Sequence, residues 1–426
     1  MNLADLLPAW LGRQRWYPGP PPPSVAVAAD EEPVPGLHRL LVEAGGATYQ
    51  VLVGLRPGGE QPEFLHGRDG DVLGPVDGML AFDALADPDL ARALLAAVVP
   101  GEAAEVVRPV GVEQSNTSLV FDERLILKVF RRLHEGANPD VEVAAALARA
   151  GFDNVAEPLG VWRRAGTDLA VCTPYLAGAA EGWALALTSL RDMYATACED
   201  PAQCGGDFGA EARRLGQVTA GMHLALAAAF GTGPADPAGW AAGAQAQAAR
   251  LAGPPAAVDG DAVRAALARL PEPAAAGASV RVHGDYHLGQ VMRTDAGWYV
   301  LDFEGEPARP PAERRATSSP LKDVAGLLRS FDYAAAYARR ERDEAEQDAL
   351  APMARAWEAR NRTAFLAGYE ATEGIDALLP APGAHRAAVL AAFELDKALY
   401  EVLYELAHRP DWVEIPLAAV RRLLAG

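Results

Sequence analysis

Between residues 283 and 302 the sequence sets His283-Gly284-Asp285, then Gln290, then Asp302, an order of side chains suited to phosphoryl transfer. The segment VRVHGDYHLGQVMRTDAGWYVLDFEGEPARP reads as an apolar strand (Val280, Val282), a polar loop from His283 to Gln290, and a hairpin around Asp295-Ala296-Gly297. The second hairpin strand delivers Asp302 at its end, followed by Phe303 and Glu304. Moving the γ-phosphoryl of ATP requires positioning, charge neutralisation and an acceptor for the hydroxyl proton. Mg2+ is a hard cation that prefers oxygen ligands, and Asp302 with Gln290 offers a carboxylate and an amide oxygen. Asp285 is left to orient and deprotonate the acceptor hydroxyl, a contribution of about 10²–10⁴ in rate. A solvated loop with capping carboxylates is the bland alternative. It does not account for three polar roles arriving in order on a strand–loop–hairpin scaffold.

Around this core, His283 reads as a brace for the loop, whereas His287 and Glu304 are placed to touch an acceptor. His223, on an apolar helical face, reads as structural. Lys128 lies in the alternating strand RLILKVF, and Glu142 falls in the first turn of the next helix. In protein-kinase-like folds a strand Lys contacts the α/β-phosphates and is held by a helix Glu. The turn Gln114-Ser115-Asn116-Thr117 sits where a phosphate-covering loop would fall, without the glycines of a GxGxxG loop. No GxxxxGK[ST] run occurs, so a P-loop kinase is not supported. Late in the chain, Tyr400 and Tyr404 share a helical face with Lys397. Such a stripe is usually core, but Lys397 and Tyr404 are the candidates there for the acceptor pocket.

These residues need a scaffold. Residues 1–100 read as a small α+β cap: an amphipathic stretch LADLLPAWL, the rigid run PGPPPP, a hairpin of LHRLLVEA and ATYQVLVGLR about Gly45-Gly46, and a helix near DLARALLAAV. Residues 101–178 read as a lobe of short strands with one helix, capped by Asn138, opened by Pro139 and stopped at Gly151. Residues 179–426 read as mainly helical, with Leu215, Val218, Met222 and Leu226 on one helical face.

Bulk properties exclude several function classes. The 426 residues exceed one ordinary core, and a net charge of -19 argues against a nucleic-acid surface. No apolar run is long enough to span a membrane, and MNLADLLPAW has no basic n-region, so a soluble cytoplasmic enzyme is the expectation. Cys172, Cys198 and Cys204 form no CxxC pair and read as buried or incidental thiols rather than a metal site or disulfide framework. Lys128, Lys322 and Lys397 are the only lysines in a chain that otherwise fills basic positions with Arg.

The order His-Gly-Asp, Gln, Asp-Phe resembles the pattern of aminoglycoside phosphotransferases and related kinases. The continuation VLDFEGEPARPPAERRATSSPLKDVAGLLRSFDYAA, the opening LPAWLGRQRWYPG and the late ELDKALYEVLYELAHRPDWVEIPL more specifically resemble the bacterial maltokinases. That resemblance implies a bilobed, protein-kinase-like α+β fold with an N-terminal cap, using Mg2+ and ATP. By position it implies Asp285 as base, Gln290 and Asp302 as metal ligands, Asp323 as a brace of the catalytic loop, and Lys128 with Glu142 at the phosphates. The backbone near Thr173, Tyr175 and Leu176 would meet adenine. The implied reaction makes maltose 1-phosphate for α-glucan synthesis, and association with trehalose synthase is a family trait. Tyr286 departs from the apolar residue many relatives carry. An aminosugar kinase or aminoglycoside phosphotransferase on the same fold is the alternative, and a silent kinase-like scaffold a remote one. A monomer is expected, since no long apolar face is left over.

Overall fold

The computed structural model describes residues 3–111, 115–196, 200–306 and 311–425. The chain divides into two compact units, Met1–Ala145 with Ala156–Ala177, and Ala146–Val155 with Gly178–Gly426.

In the first unit the helix Leu3–Leu11 buries Leu7, Trp10 and Leu11. An antiparallel sheet follows in the order Ala26–Val34, Leu37–Ala44, Ala47–Pro57, Met79–Asp83, Val72–Val76, with Arg132–Leu133 joined to Ala47–Pro57. Gly45 and Gly46 both take positive φ, 57° and 76°, as a two-residue hairpin turn that follows the strand twist requires. The strands anticipated on either side pair across it from Ala44–Ala47 onward.

A second antiparallel sheet runs Gly160–Arg164, Thr167–Pro174, Leu125–Phe130, Asn116–Phe121, Val107–Pro109. Within Leu125–Phe130, Leu125, Leu127 and Val129 are buried while Ile126 and Lys128 are only half-buried. The period of two therefore turns Lys128 away from the core that Leu127 seals. Helix Pro139–Arg149 starts as anticipated, with the Asp140 N–H donating to Asn138 Oδ1 at 2.8 Å.

The segments anticipated as cap and lobe share one core. Helix Pro88–Val98, capped by Asp87, places Leu90, Leu94 and Leu95 in one cluster with Phe82, Leu119, Phe121, Leu127 and Ala170. Buried Gln50 donates from Nε2 to the carbonyls of Phe130 (3.1 Å) and Leu169 (3.0 Å). Buried Arg131 joins Asp83 at 2.5 Å and donates from Nε to Thr117 Oγ1 at 2.8 Å. Cys172 is a free, buried thiol, in line with the reading of buried or incidental thiols, whereas Cys204 is disulfide-bonded, which departs from it.

The second unit is mainly helical. Its long helices are Gly182–Ala195, Gly209–Phe230, Pro237–Arg250, Leu321–Arg340, Glu344–Glu370 and Ala384–His408. Two small sheets are set among them: Ala180–Glu181 with Val291–Thr294 and Gly297–Val300, and Thr232–Pro234 with Ala278–Arg281 and Thr317–Ser318. On Gly209–Phe230 the anticipated face is buried at Leu215, Met222 and Leu226.

Helices Gly209–Phe230 and Glu344–Glu370 cross with their backbones in contact. A Cβ on Gly216 would lie 2.1 Å from the Phe365 carbonyl oxygen, and one on Gly368 2.0 Å from that of Arg213. No side chain can move aside at such a contact, so the helices themselves must separate. Gly368→Ala is expected to lower stability by about 1–3 kcal/mol or more, read as a fall in denaturant midpoint at unchanged slope.

Candidate active site

The loop after strand Ala278–Arg281 is held by a single buried carboxylate. Asp323, in the first turn of helix Leu321–Arg340, accepts the His283 N–H on Oδ2 (2.8 Å) and the Gly284 N–H on Oδ1 (2.9 Å). Its Oδ2 also lies 3.1 Å from His223 Nε2, and the Nδ1 of His223 meets the Tyr369 hydroxyl at 2.8 Å. Burial alone would push the Asp323 carboxyl up. The hydrogen bond and charge of His223, with His283 and the Gly284 N–H, hold it below the usual carboxylate range. Asp323, which the resemblance names as a brace, thus accepts two backbone bonds from this loop.

Further ties fix the loop along its length. The Leu288 N–H donates to Ser330 Oγ (3.2 Å), and the Tyr286 hydroxyl meets Thr219 Oγ1 (2.9 Å). Tyr286 is fully buried. His283 accepts the Asp285 N–H on Nδ1 (3.4 Å), and its Nε2 lies 2.8 Å from the Leu301 carbonyl oxygen. It therefore links the loop to the residue before Asp302.

Asp285, Gln290 and Asp302 all lie in this unit. Gln290 Nε2 donates to Asp302 Oδ2 at 3.2 Å, so the amide and carboxylate ends sit side by side. Asp302 has φ +61°, a left-handed conformation that costs a non-glycine residue about 1–2 kcal/mol. Strain of this kind collects where a side chain must be aimed. His287 Nε2 lies 4.0 Å from Asp285 Oδ2, while its Nδ1 accepts the Gly289 N–H at 3.0 Å. Burial pulls the His287 imidazole below its ordinary value; Asp285 opposes this and Lys397 adds to it. Glu304 is half-buried, and its carbonyl oxygen accepts from Arg314 at 3.4 Å.

Lys397, anticipated from sequence for the acceptor pocket, reaches two protein carboxylates. Its Nζ donates to Asp285 Oδ1 (3.1 Å) and Glu306 Oε1 (2.8 Å). Tyr404 is exposed, with its ring stacked on His408 at 4.4 Å and the Arg409 guanidinium 5.8 Å above it. Glu306, only 3% exposed, is a site residue that sequence reasoning missed; its signal is the run Asp302-Glu304-Glu306.

In the first unit, Lys128 Nζ pairs with Asp140 Oδ2 at 3.0 Å. Asp140 stands two residues before Glu142, the helix carboxylate anticipated for this role, in the same turn. Thr117 Oγ1 is engaged by Arg131, and Asn116 Nδ2 donates to Ser115 Oγ at 3.2 Å. Gln114 lies outside the described residues. Thr173 pairs with Ile126 in the sheet. The Tyr175 N–H donates to the Arg124 carbonyl (2.7 Å), and its hydroxyl accepts from Arg108 (3.0 Å). Leu176, next in the chain, is half-buried.

Asp323→Ala leaves two backbone N–H groups and His223 without their acceptor, each a loss of about 1–3 kcal/mol where the group stays buried. The variant is expected to melt well below the wild type and to lose phosphotransferase activity. Calorimetry and ADP release read the two effects separately.

The chain matches the phosphotransferase enzyme family over residues 106–387 and the maltokinase N-terminal cap domain over residues 10–87. It is 31% identical over 363 residues to a glucosamine kinase of Streptacidiphilus jiangxiensis, an alignment covering 80% of this chain and 78% of that protein. A glucosamine kinase of Mycolicibacterium smegmatis is 31% identical over 342 residues, covering 74% and 79%. A solved glucosamine kinase superposes with a TM-score of 0.72 at 26% identity, covering 100% of both chains. Another, in complex with glucosamine, ADP and inorganic phosphate, gives 0.70 at 25% identity, covering 100% of this chain and 99% of that one. With its catalytic-loop order, its matched span and its relatives in agreement, this chain belongs to the phosphotransferase enzyme family and carries a maltokinase-type cap at its N-terminal end.

Proposed function

We propose that the chain is an ATP-dependent sugar kinase whose acceptor is an aminosugar of the glucosamine type. The observation that carries the kinase reading is the assembly of Asp285, Gln290 and Asp302 on one loop and hairpin held by Asp323. Asp302 and Gln290 would hold Mg2+, Asp302 through its carboxylate and Gln290 through its amide oxygen once the amide that now donates to Asp302 turns over. When bound, the ion neutralises phosphate charge. Asp285 orients the acceptor hydroxyl and takes its proton as the hydroxyl oxygen bonds to phosphorus and ADP departs. Within the first unit, Lys128, held by Asp140, is a fixed cation of the kind that phosphate oxygens take.

The choice of acceptor rests on two supports. Relatives that align over most of the chain are named glucosamine kinases. Asp285 and Glu306 both accept from Lys397, so a second carboxylate stands near the base, as suits a cationic sugar. A second reading, phosphorylation of maltose at its anomeric hydroxyl, is favoured by the maltokinase cap at residues 10–87.

Incubation with ATP and Mg2+ against glucosamine, maltose, glucose and kanamycin separates these readings by ADP release. Glucosamine is expected to give the highest rate; a higher rate with maltose would replace the first reading by the second. EDTA should abolish turnover. Asp285→Ala is expected to lower kcat at least about 10²-fold while Mg2+–ATP binding persists. Asp302→Ala should weaken metal-dependent nucleotide binding itself, as calorimetric titration would read. Equal and mild effects from both would overturn these roles.

A further inference from the structure

The surroundings of Lys397 assign it a role other than substrate contact. Its Nζ lies 3.1 Å from Asp285 Oδ1, 2.8 Å from Glu306 Oε1 and 4.8 Å from the centre of the Tyr400 ring. The three charged side chains are 17%, 19% and 2% exposed. An ammonium has three N–H donors, and two of them are given to carboxylates of the protein. Burial would pull the pKa of Lys397 down, but Asp285 and Glu306 push it well above the ordinary lysine value.

The helix carrying Lys397 is itself pinned. One turn on, Glu401 accepts from Arg329 Nε (3.1 Å) and Nη2 (2.5 Å). A turn further, Glu405 accepts the Tyr333 hydroxyl at 2.5 Å. Arg329 and Tyr333 belong to Leu321–Arg340, the helix whose Asp323 holds the catalytic-loop backbone. One helix therefore sets both the height of the loop and the position of the cation that meets its carboxylate. Oδ1 of Asp285 faces Lys397, and Oδ2 faces His287.

We propose that Lys397 is a positioning residue for phosphoryl transfer: anchored on Glu306, it occupies Asp285 Oδ1 and so fixes Oδ2 as the oxygen that receives the acceptor's proton. The inference rests on the reading of Asp285 as base and goes beyond it, since it takes Lys397 out of the acceptor pocket. The ROH proton passes to Oδ2, the O–P bond forms, the bond to the β-phosphate oxygen breaks, and ADP carries away the electron pair. Lys397 keeps its own protons throughout.

The test uses the full chain with Mg2+–ATP and whichever of glucosamine or maltose it turns over. Lys397→Met is expected to lower kcat about 10²-fold, the scale of a small misplacement of a reacting group, with KM for ATP unchanged. Lys397→Arg should recover part of kcat, and Glu306→Gln should lower it in the same direction by less. In an Asp285→Ala background, Lys397→Met should add no further loss, because it acts through the missing carboxylate. A rise in KM for the sugar at constant kcat would return Lys397 to substrate binding and overturn the proposal. Multiplicative losses in the double variant would overturn it too, as would a drop in melting temperature that accounts for the lost activity. Full activity in Asp285→Ala, or no turnover of either sugar, would instead sink the base reading and this inference with it.

Discussion

A carboxylate with almost no access to water holds the loop that begins at His283. Asp323 spends both oxygens on backbone N–H groups of His283 and Gly284 and shares one with His223. Burying a charge is costly unless hydrogen bonds and an opposite partner replace the lost water. Here two backbone donors and an imidazole do so, while the helix N-terminus adds a favourable dipole. Since those donors are the loop's own backbone, the cost of exposing the carboxylate becomes a cost of moving the loop.

The rest of the second unit reads as support for that contact. His223 comes from Gly209–Phe230 and its partner Tyr369 from Glu344–Glu370, the two helices whose backbones meet at Gly216 and Gly368. Spacing between them is therefore set by main-chain contact, which fixes where the imidazole stands. Helix Ala384–His408 is joined to Leu321–Arg340 through Arg329–Glu401 and Tyr333–Glu405. Each is a directional bond, so the supporting helices have little freedom to slide.

Much of this was legible because it is local. His283-Gly284-Asp285, Gln290 and Asp302 lie within twenty residues, and strand–loop–hairpin patterning places them without tertiary knowledge. Gly45-Gly46, Asn138 and Pro139 announced their turn and helix by backbone chemistry alone. What was harder to read depended on rotation. Asp140 and Glu142 both lie in a first helical turn, yet they point about 200° apart, and the contact of Asp140 with Lys128 depends on the phase of that helix against the sheet. Glu304 and Glu306 pose the same problem in an irregular segment with no period to sort them. Lys397 stood out as one of three lysines, but its partners lie 91 and 112 residues away, beyond any local pattern.

Gln50 belongs to the segment matched as a cap, but its amide satisfies carbonyls of two strands in the neighbouring sheet. A cut placed at the seam that sequence families suggest, near residue 100, would strip donors from Phe130 and Leu169 and open an apolar face on Leu119, Phe121 and Leu127. The seam between matched families is therefore not a seam in the folded chain. The strand that carries Lys128 owes its shape to residues far upstream, and a shortened protein would be a poor stand-in for the whole when nucleotide affinity is measured.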